Sequence, residues 1–145
     1  TLVCAETQTA GRGRRGRAWS SPPGAAVYMS LLLRPKVRPE HASMLTLVMG
    51  LAAAEACNEL LSRAAAGKPS VPQTGLKWPN DLVLDGKKTA GILTEMSTEV
   101  DFIHYVVIGI GINVNTEGFP EELPHAASLR QYAGKPLLRA ELIAL

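Results

Sequence analysis

The chain has 145 residues, 46% of them hydrophobic, which is enough for one compact domain with a core and too few for two ordinary ones. Its formal net charge is +2; the arginines at 12, 14, 15 and 17 alone contribute four positive charges, so everything else is mildly acidic at −2. A nucleic-acid binder spreads its basic residues along a face that tracks many phosphates, so this concentration speaks against that class; no apolar run reads as a membrane span and residues 1–20 hold no signal-peptide stretch, which makes the cytoplasm the expected compartment.

Leu2 to Ala5 is a short apolar run that reads as a strand delivering the chain into Gly11-Arg12-Gly13-Arg14-Arg15-Gly16-Arg17. Glycine lets backbone approach a ligand closely, and each guanidinium offers a planar fork of donors suited to phosphate or carboxylate. The segment therefore predicts an anion-gripping loop for a small phosphate-bearing ligand, while as a charge run alone it reads equally as a solvated basic loop. Being glycine-rich and charge-dense, it is expected to be mobile until a ligand orders it. Trp19 follows with no core periodicity to explain it, and Ser21 to Gly24 punctuate a turn. Alternation from Val27 to Leu33, stopped by Pro35, predicts a second strand.

Pro39 suits the first turn of a helix expected from Glu40 to about Ala66, ended by Gly67 and Pro69. Met44, Leu47, Val48, Leu51 and Ala54 recur at helical spacing and are assigned to its core face. Leu76-Lys77-Trp78 reads as a strand end, Pro79-Asn80-Asp81 as a turn, and Leu82 to Leu84 as the resumed strand. Asp85-Gly86 then supplies a two-residue hairpin turn, with the return running through Lys87 to Leu93. Trp78 is assigned to packing. A further strand spans Tyr105 to Asn115, and its Gly109 and Gly111 mark either a close approach or a bulge. Thr116 to Ala127 is loop-like, and Pro136 opens a final helix carrying Leu138, Leu142 and Leu145. Cys4 and Cys57 read as buried apolar residues, and His41, His104 and His125 are too scattered for a metal site.

Three motifs stand in order: Glu6-Thr7-Gln8-Thr9-Ala10 leading into the arginine loop and Trp19; Lys77-Trp78-Pro79-Asn80-Asp81 followed by Ala90-Gly91-Ile92-Leu93-Thr94-Glu95; and Gly109 to Asn115. Together they resemble the catalytic domain of biotin protein ligase, over Leu2 to the end of the chain. That resemblance implies an α+β fold, a mixed β-sheet backed by helices of the class II synthetase-like kind shared with lipoate ligases, with residues 1–145 as one catalytic domain cut at both ends. It implies activation of biotin with ATP and Mg²⁺ to biotinyl-5′-adenylate, then transfer to a lysine of a biotin carboxyl carrier protein. By position, Gln8 is implied to bond the biotin head group, Arg12, Gly13 and Arg14 to close over biotin and the adenylate phosphate, and Arg17 to add a phosphate contact. Lys77 is implied to reach the biotin carboxylate and α-phosphate, so that Lys77 and Arg14 are the catalytic pair. Trp19 and Asn113 match positions that meet adenine. The resemblance allows a homodimer, and DNA binding only through an N-terminal domain outside residues 1–145. A Ser-Thr-Asn segment before the first strand and a small β-barrel after the catalytic domain, both usual in the family, are read as excised.

Those residue types suit the chemistry independently. When a carboxylate attacks the α-phosphate of ATP, two anions meet and pyrophosphate leaves, so fixed positive charge that strengthens in the transition state is what the site needs. Because the mixed anhydride is itself activated and the acceptor lysine is the nucleophile, no Ser/His/Asp or Cys/His set is expected. Asn113 sits in a strand where an amide is disfavoured, which favours a functional role. The rival ligase of lipoate or octanoate would share the lysine without the full arginine-glycine loop. A nucleic-acid module with a basic arm would need aromatics among its arginines, and none is interleaved there.

Overall fold

The computed structural model describes residues 1–65 and 71–145. Six strands, β1 (Leu2–Ala5), β2 (Ala26–Leu33), β3 (Thr74–Lys77), β4 (Asp81–Leu84), β5 (Lys87–Thr98) and β6 (Ile103–Asn113), form one sheet in the order β1-β2-β6-β5-β4-β3. Among the described residues three α-helices accompany it: α1 (Ala42–Ala64), α2 (Leu129–Ala133) and α3 (Arg139–Ala144). This is the expected sheet backed by helices. Among the described residues every named ladder is antiparallel, and the parallel component is an isolated bridge between Lys88 and Ala126.

Alternation decides which face does what. Ile92, Ile108, Ile110 and Ile112 point to one side and are buried, while Gly91, Gly109, Gly111 and Asn113 point to the other. Helix α1 lies on the isoleucine side, against β3, β4, β5 and β6. Gly50 allows that approach, since a Cβ there would collide with Leu76 and stand 3.4 Å from Ile92 Cδ1. Asn58 pins α1 to the edge strand, accepting from the Thr74 N–H at 2.7 Å and donating to the Thr74 carbonyl at 3.3 Å. The opposite face of the sheet is thereby left for the arginine loop.

Asp85 and Gly86 both have positive φ, 51° and 73°, as a two-residue turn between antiparallel strands requires. Pairing runs without interruption through Gly109 and Gly111 on both sides of β6, and the register shifts fall elsewhere, at Leu82/Val83 and Ser97/Thr98. The two glycines therefore mark an approach and not a bulge.

Several expectations need correction. Met44, Val48 and Leu51 are exposed; the buried stripe of α1 is Ala42, Gly50, Ala53, Ala54, Cys57, Leu60 and Leu61. The helix is apolar on most of its circumference, so periodicity alone cannot select a face, and the chosen one carries small residues because α1 sits close to the sheet. The 26-residue helical stretch Pro39–Ala64 holds an 18-residue window of mean hydropathy 1.4, which by length and composition alone is enough to cross a membrane, a test that the core helix of a folded domain also passes. The expected stop at Gly67 and Pro69 lies outside the described residues. Cys4 is exposed on β1, whereas Cys57 is buried and its thiol pKa is pushed up to about 12 by burial. Trp78 is 78% exposed, so it is not the packing residue expected. In the final segment only Leu142 of the three leucines is buried, and α2 precedes it unannounced, capped by Ser128 and Gln131 and ended by Gly134 in the left-handed region.

Candidate active site

The chain enters the site from β1 under tight restraint. Glu6 accepts from the Gly24 N–H at 2.6 Å and from both terminal nitrogens of Arg139 at 3.1 and 3.0 Å, and these partners, Arg139 first, hold its carboxyl below the usual pKa. Thr7 donates to the Ser21 carbonyl at 2.7 Å. The buried Ser21 hydroxyl donates to Gln8 Oε1 at 2.8 Å, with the Trp19 carbonyl 3.2 Å away. Because the amide oxygen of Gln8 is taken, its NH₂ end is the part left to meet a ligand.

Residues 11–19 form a closed loop of their own. Trp19 N–H bonds the Gly11 carbonyl at 2.9 Å, Gly13 N–H bonds the Arg17 carbonyl at 2.7 Å, and Arg12 bridges Ala18 in antiparallel fashion. Arg14–Gly16 make a 3₁₀ turn in which Arg15 and Gly16 take φ of 58° and 72°. Two arginines then reach the sheet: Arg12 Nη2 lies 2.9 Å from Glu95 Oε2, and Arg14 Nη1 donates to Asn80 Oδ1 at 2.9 Å. The loop is held by its own backbone and tied to the sheet by these two contacts. With 70% of Arg12 and 46% of Glu95 exposed, their pair contributes at most ~1 kcal/mol and is weak enough for an incoming anion to exchange. Among the described residues, Arg15, Arg17 and Lys77 make no side-chain hydrogen bond or ion pair.

Trp19 lies flat on a glycine floor. A Cβ at Gly111 would stand 2.6 Å from its Nε1, and one at Gly91 3.0 Å from its Cζ3. Gly91 and Gly111 are direct cross-strand partners, so the absence of both side chains opens one indole-sized space. Lys88 Nζ stands 5.5 Å from the ring centroid and is held by Asp81 at 2.7 Å, a cation over a π face. Among the described residues the buried indole N–H has no partner, which leaves it a donor for an incoming acceptor. Beside the ring is a cleft of about 150 Å³ lined by Gln8, Arg12, Trp19, Ser30, Glu95 and Gly109. That is room for one compact ring system.

Of the residues singled out from the sequence, Gln8, Arg12 and Trp19 line this cleft, while Gly13, Arg14 and Arg17 lie in the loop beyond its wall. Lys77 and Asn113 do not line it, but both belong to its face. Successive partners run Tyr28, Gly111, Gly91, Asp81, Lys77 in one rank across the sheet, so Lys77 stands three strand spacings, about 14 Å, from Gly111. Asn113 follows Gly111 by two residues, its amide donating to the Ala127 carbonyl at 3.3 Å. An extended ligand could run from the cleft past Trp19 to Lys77. Sequence reasoning missed Ser21, Asn80 and Lys88 as members of this surface. For Lys88 the signal was present in the Asp85-Gly86 turn, but the register shift at Leu82/Val83 displaces the pairing that the turn alone predicts.

A family model described as biotin/lipoate A/B protein ligase matches residues 1–113. The bifunctional ligase/repressor BirA of Bacillus subtilis is 49% identical over 146 residues, covering 99% of this chain and 42% of that protein. The structure of a biotin protein ligase from Aquifex aeolicus in complex with biotin and ATP is similar with a TM-score of 0.78 at 38% identity, covering 99% of this chain and 55% of the other. A biotin protein ligase from Leishmania major in complex with biotinyl-5-AMP gives the same TM-score at 29% identity, with 99% and 60% covered. The chain thus spans less than half the length of the Bacillus protein and a little over half of the two solved chains.

Proposed function

Because the chain belongs to the biotin/lipoate A/B protein ligase family, we propose that it carries the catalytic domain of an ATP-dependent biotin protein ligase. The observation that carries this reading is the arginine loop folded beside a ring-sized cleft that holds Gln8 and Trp19, on the same sheet face as Lys77. The Gln8 amide, oriented by Ser21, bonds the polar head group of biotin in the cleft. Trp19 and Asn113 meet the adenine of ATP, Trp19 through the ring that the glycine floor supports.

The biotin carboxylate oxygen attacks the α-phosphorus and the bond to pyrophosphate breaks, giving biotinyl-5′-adenylate. Lys77, as an ammonium, sits where negative charge gathers between the two reactants; Arg12, Arg14 and Arg17, with the Gly13 backbone between them, draw the phosphate down. The acceptor lysine amine of a carrier protein then attacks the acyl carbon, AMP departs with its electron pair, and an amide remains. Mg²⁺ would accompany ATP as the counter-ion of its polyphosphate and would neutralise charge there. Glu95 and Asp81 are already paired with Arg12 and Lys88, so these residues do not suit a protein-held metal. A biotin carboxyl carrier protein as acceptor, a cytoplasmic location where ATP is plentiful, a homodimer, and DNA where an N-terminal domain adjoins this region belong to the same proposal for the full-length protein.

Pyrophosphate exchange into ATP by the full-length protein, with biotin or with lipoate, tests it. Exchange with biotin alone is expected. Exchange with lipoate alone would move the assignment to the lipoate branch of the family, and exchange with neither would remove the ligase reading.

A further inference from the structure

We infer that Asn80 is a positioning residue which aims Arg14 at the phosphate of the bound adenylate, an inference that rests on the ligase reading above. Asn80 lies in the turn between β3 and β4, where an asparagine ordinarily needs only to satisfy its own backbone. Here it does something else. Its carbonyl accepts from the Ile92 N–H at 2.8 Å and its side-chain Nδ2 donates to the Ile92 carbonyl at 2.9 Å, so one residue of β5 grips both its main chain and its amide.

With the donor end of the amide committed, the acceptor end has one orientation left. Oδ1 receives Arg14 Nη1 at 2.9 Å, across 66 residues of sequence. The contact uses one of the five guanidinium donors, and the rest remain for an anion. Arg14 needs such a brace because it opens the 3₁₀ turn of an exposed loop, and an arginine free to sample its rotamers would have to be ordered anew by each ligand. Other side chains fail for stated reasons. Aspartate lacks the donor for the Ile92 carbonyl, and serine is too short to reach the guanidinium.

The test is the dissociation rate of preformed biotinyl-5′-adenylate from the full-length protein, measured for wild type, Asn80→Ala, Arg14→Ala and the double variant. Asn80→Ala should speed release roughly five- to tenfold when Arg14 is present, and by less than about twofold when Arg14 is already alanine, because its effect passes through that residue. A turn residue of purely structural importance would instead speed release equally in both backgrounds, and that result, or no effect of Asn80→Ala on wild type, overturns the inference. Should Asn80→Ala fail to fold, Asn80→Ser, which can still close the turn, goes through the same four-way comparison. A wild-type protein that makes no adenylate from biotin and ATP overturns the ligase reading and this inference together; additive losses in a wild type that does make it overturn the inference alone.

Discussion

Replacing Gly111 with alanine would put a methyl carbon 2.6, 2.7 and 2.9 Å from three atoms of the Trp19 indole. Ordinary contact begins near 3.4 Å, so the ring must retreat by about 0.8 Å and lose its seat on the glycine floor. Overpacking of this kind costs ~1–3 kcal/mol, while removing a glycine from a strand returns ~0.5–1 kcal/mol, which leaves a net loss of up to about 2.5 kcal/mol. Gly109→Ala is the control. Two residues away on the same face, its added carbon would find the Leu93 carbonyl at 3.6 Å and Ser30 Oγ at 3.8 Å, both comfortable, so this variant should be as stable as wild type or slightly more so. Urea denaturation followed by tryptophan fluorescence measures the first effect. Pyrophosphate exchange titrated separately in ATP and in biotin measures the second, with Gly111→Ala raising the KM for ATP more than that for biotin because the displaced ring is the proposed adenine platform. Equal denaturation midpoints and equal KM for ATP in the two glycine variants would refute the reasoning.

Ser21→Ala removes the buried hydroxyl that fixes the Gln8 amide, and should weaken biotin binding by ~0.5–1.5 kcal/mol in calorimetry while leaving ATP binding unchanged; unchanged biotin affinity would break the link between Ser21 and Gln8. Lys77→Ala should slow single-turnover adenylate formation by ~10²-fold, and Lys77→Arg should not restore it, since a planar fork does not replace a compact ammonium. Wild-type rates in Lys77→Ala would return the residue to an exposed strand end. Cys57 titrates near its ordinary 9.0 when unfolded and near 12 when folded, so between those pH values the native state binds a proton the unfolded state has lost, and stability falls as pH rises, at about 1.4 kcal/mol per pH unit for this group. Burial raises Tyr28 and Tyr132 in the same direction and steepens the loss above pH 10.0. Denaturation midpoints from pH 8 to 11 should show the decline, and Cys57→Ala should flatten its lower part.

Local rules made most of the strands readable. Alternation and turn chemistry marked β1, β2, β4, β5 and β6, because a strand with one buried face writes its period into the sequence and a Asp85-Gly86 turn needs positive φ at both positions. Helix α1 was readable as an element but not as an orientation. Met44, Val48 and Leu51 are as apolar as a core stripe should be, and only the sheet's position chose the alanine and glycine side instead. Helix α2 had its signal in Ser128 and Gln131, a capping pair easily lost behind the proline-rich loop before it.

The site divides along a different line. Arg12 and Trp19 could be nominated from the residues themselves, by the density of glycine and arginine and by the lack of any core periodicity at the tryptophan, whereas Gln8 came only through the resemblance to biotin protein ligases. What the motif could not supply was the partner of each charge. Glu95 lies 83 residues from Arg12 and Asn80 lies 66 from Arg14, so no window of sequence contains either pair. The loop's anchoring comes from the sheet's register. One rank of cross-strand partners sets Gly91 beside Gly111 to seat Trp19, and carries on through Asp81, which holds Lys88, to Lys77 at the far edge. A single-residue slip of β5 would turn Gly91 and Glu95 to the α1 side and bring Ile92 under the indole, removing the floor and the Arg12 contact together. The arginine loop therefore depends on pairing specified tens of residues away, and the residues that make it a site are as much those of β5 and β6 as its own.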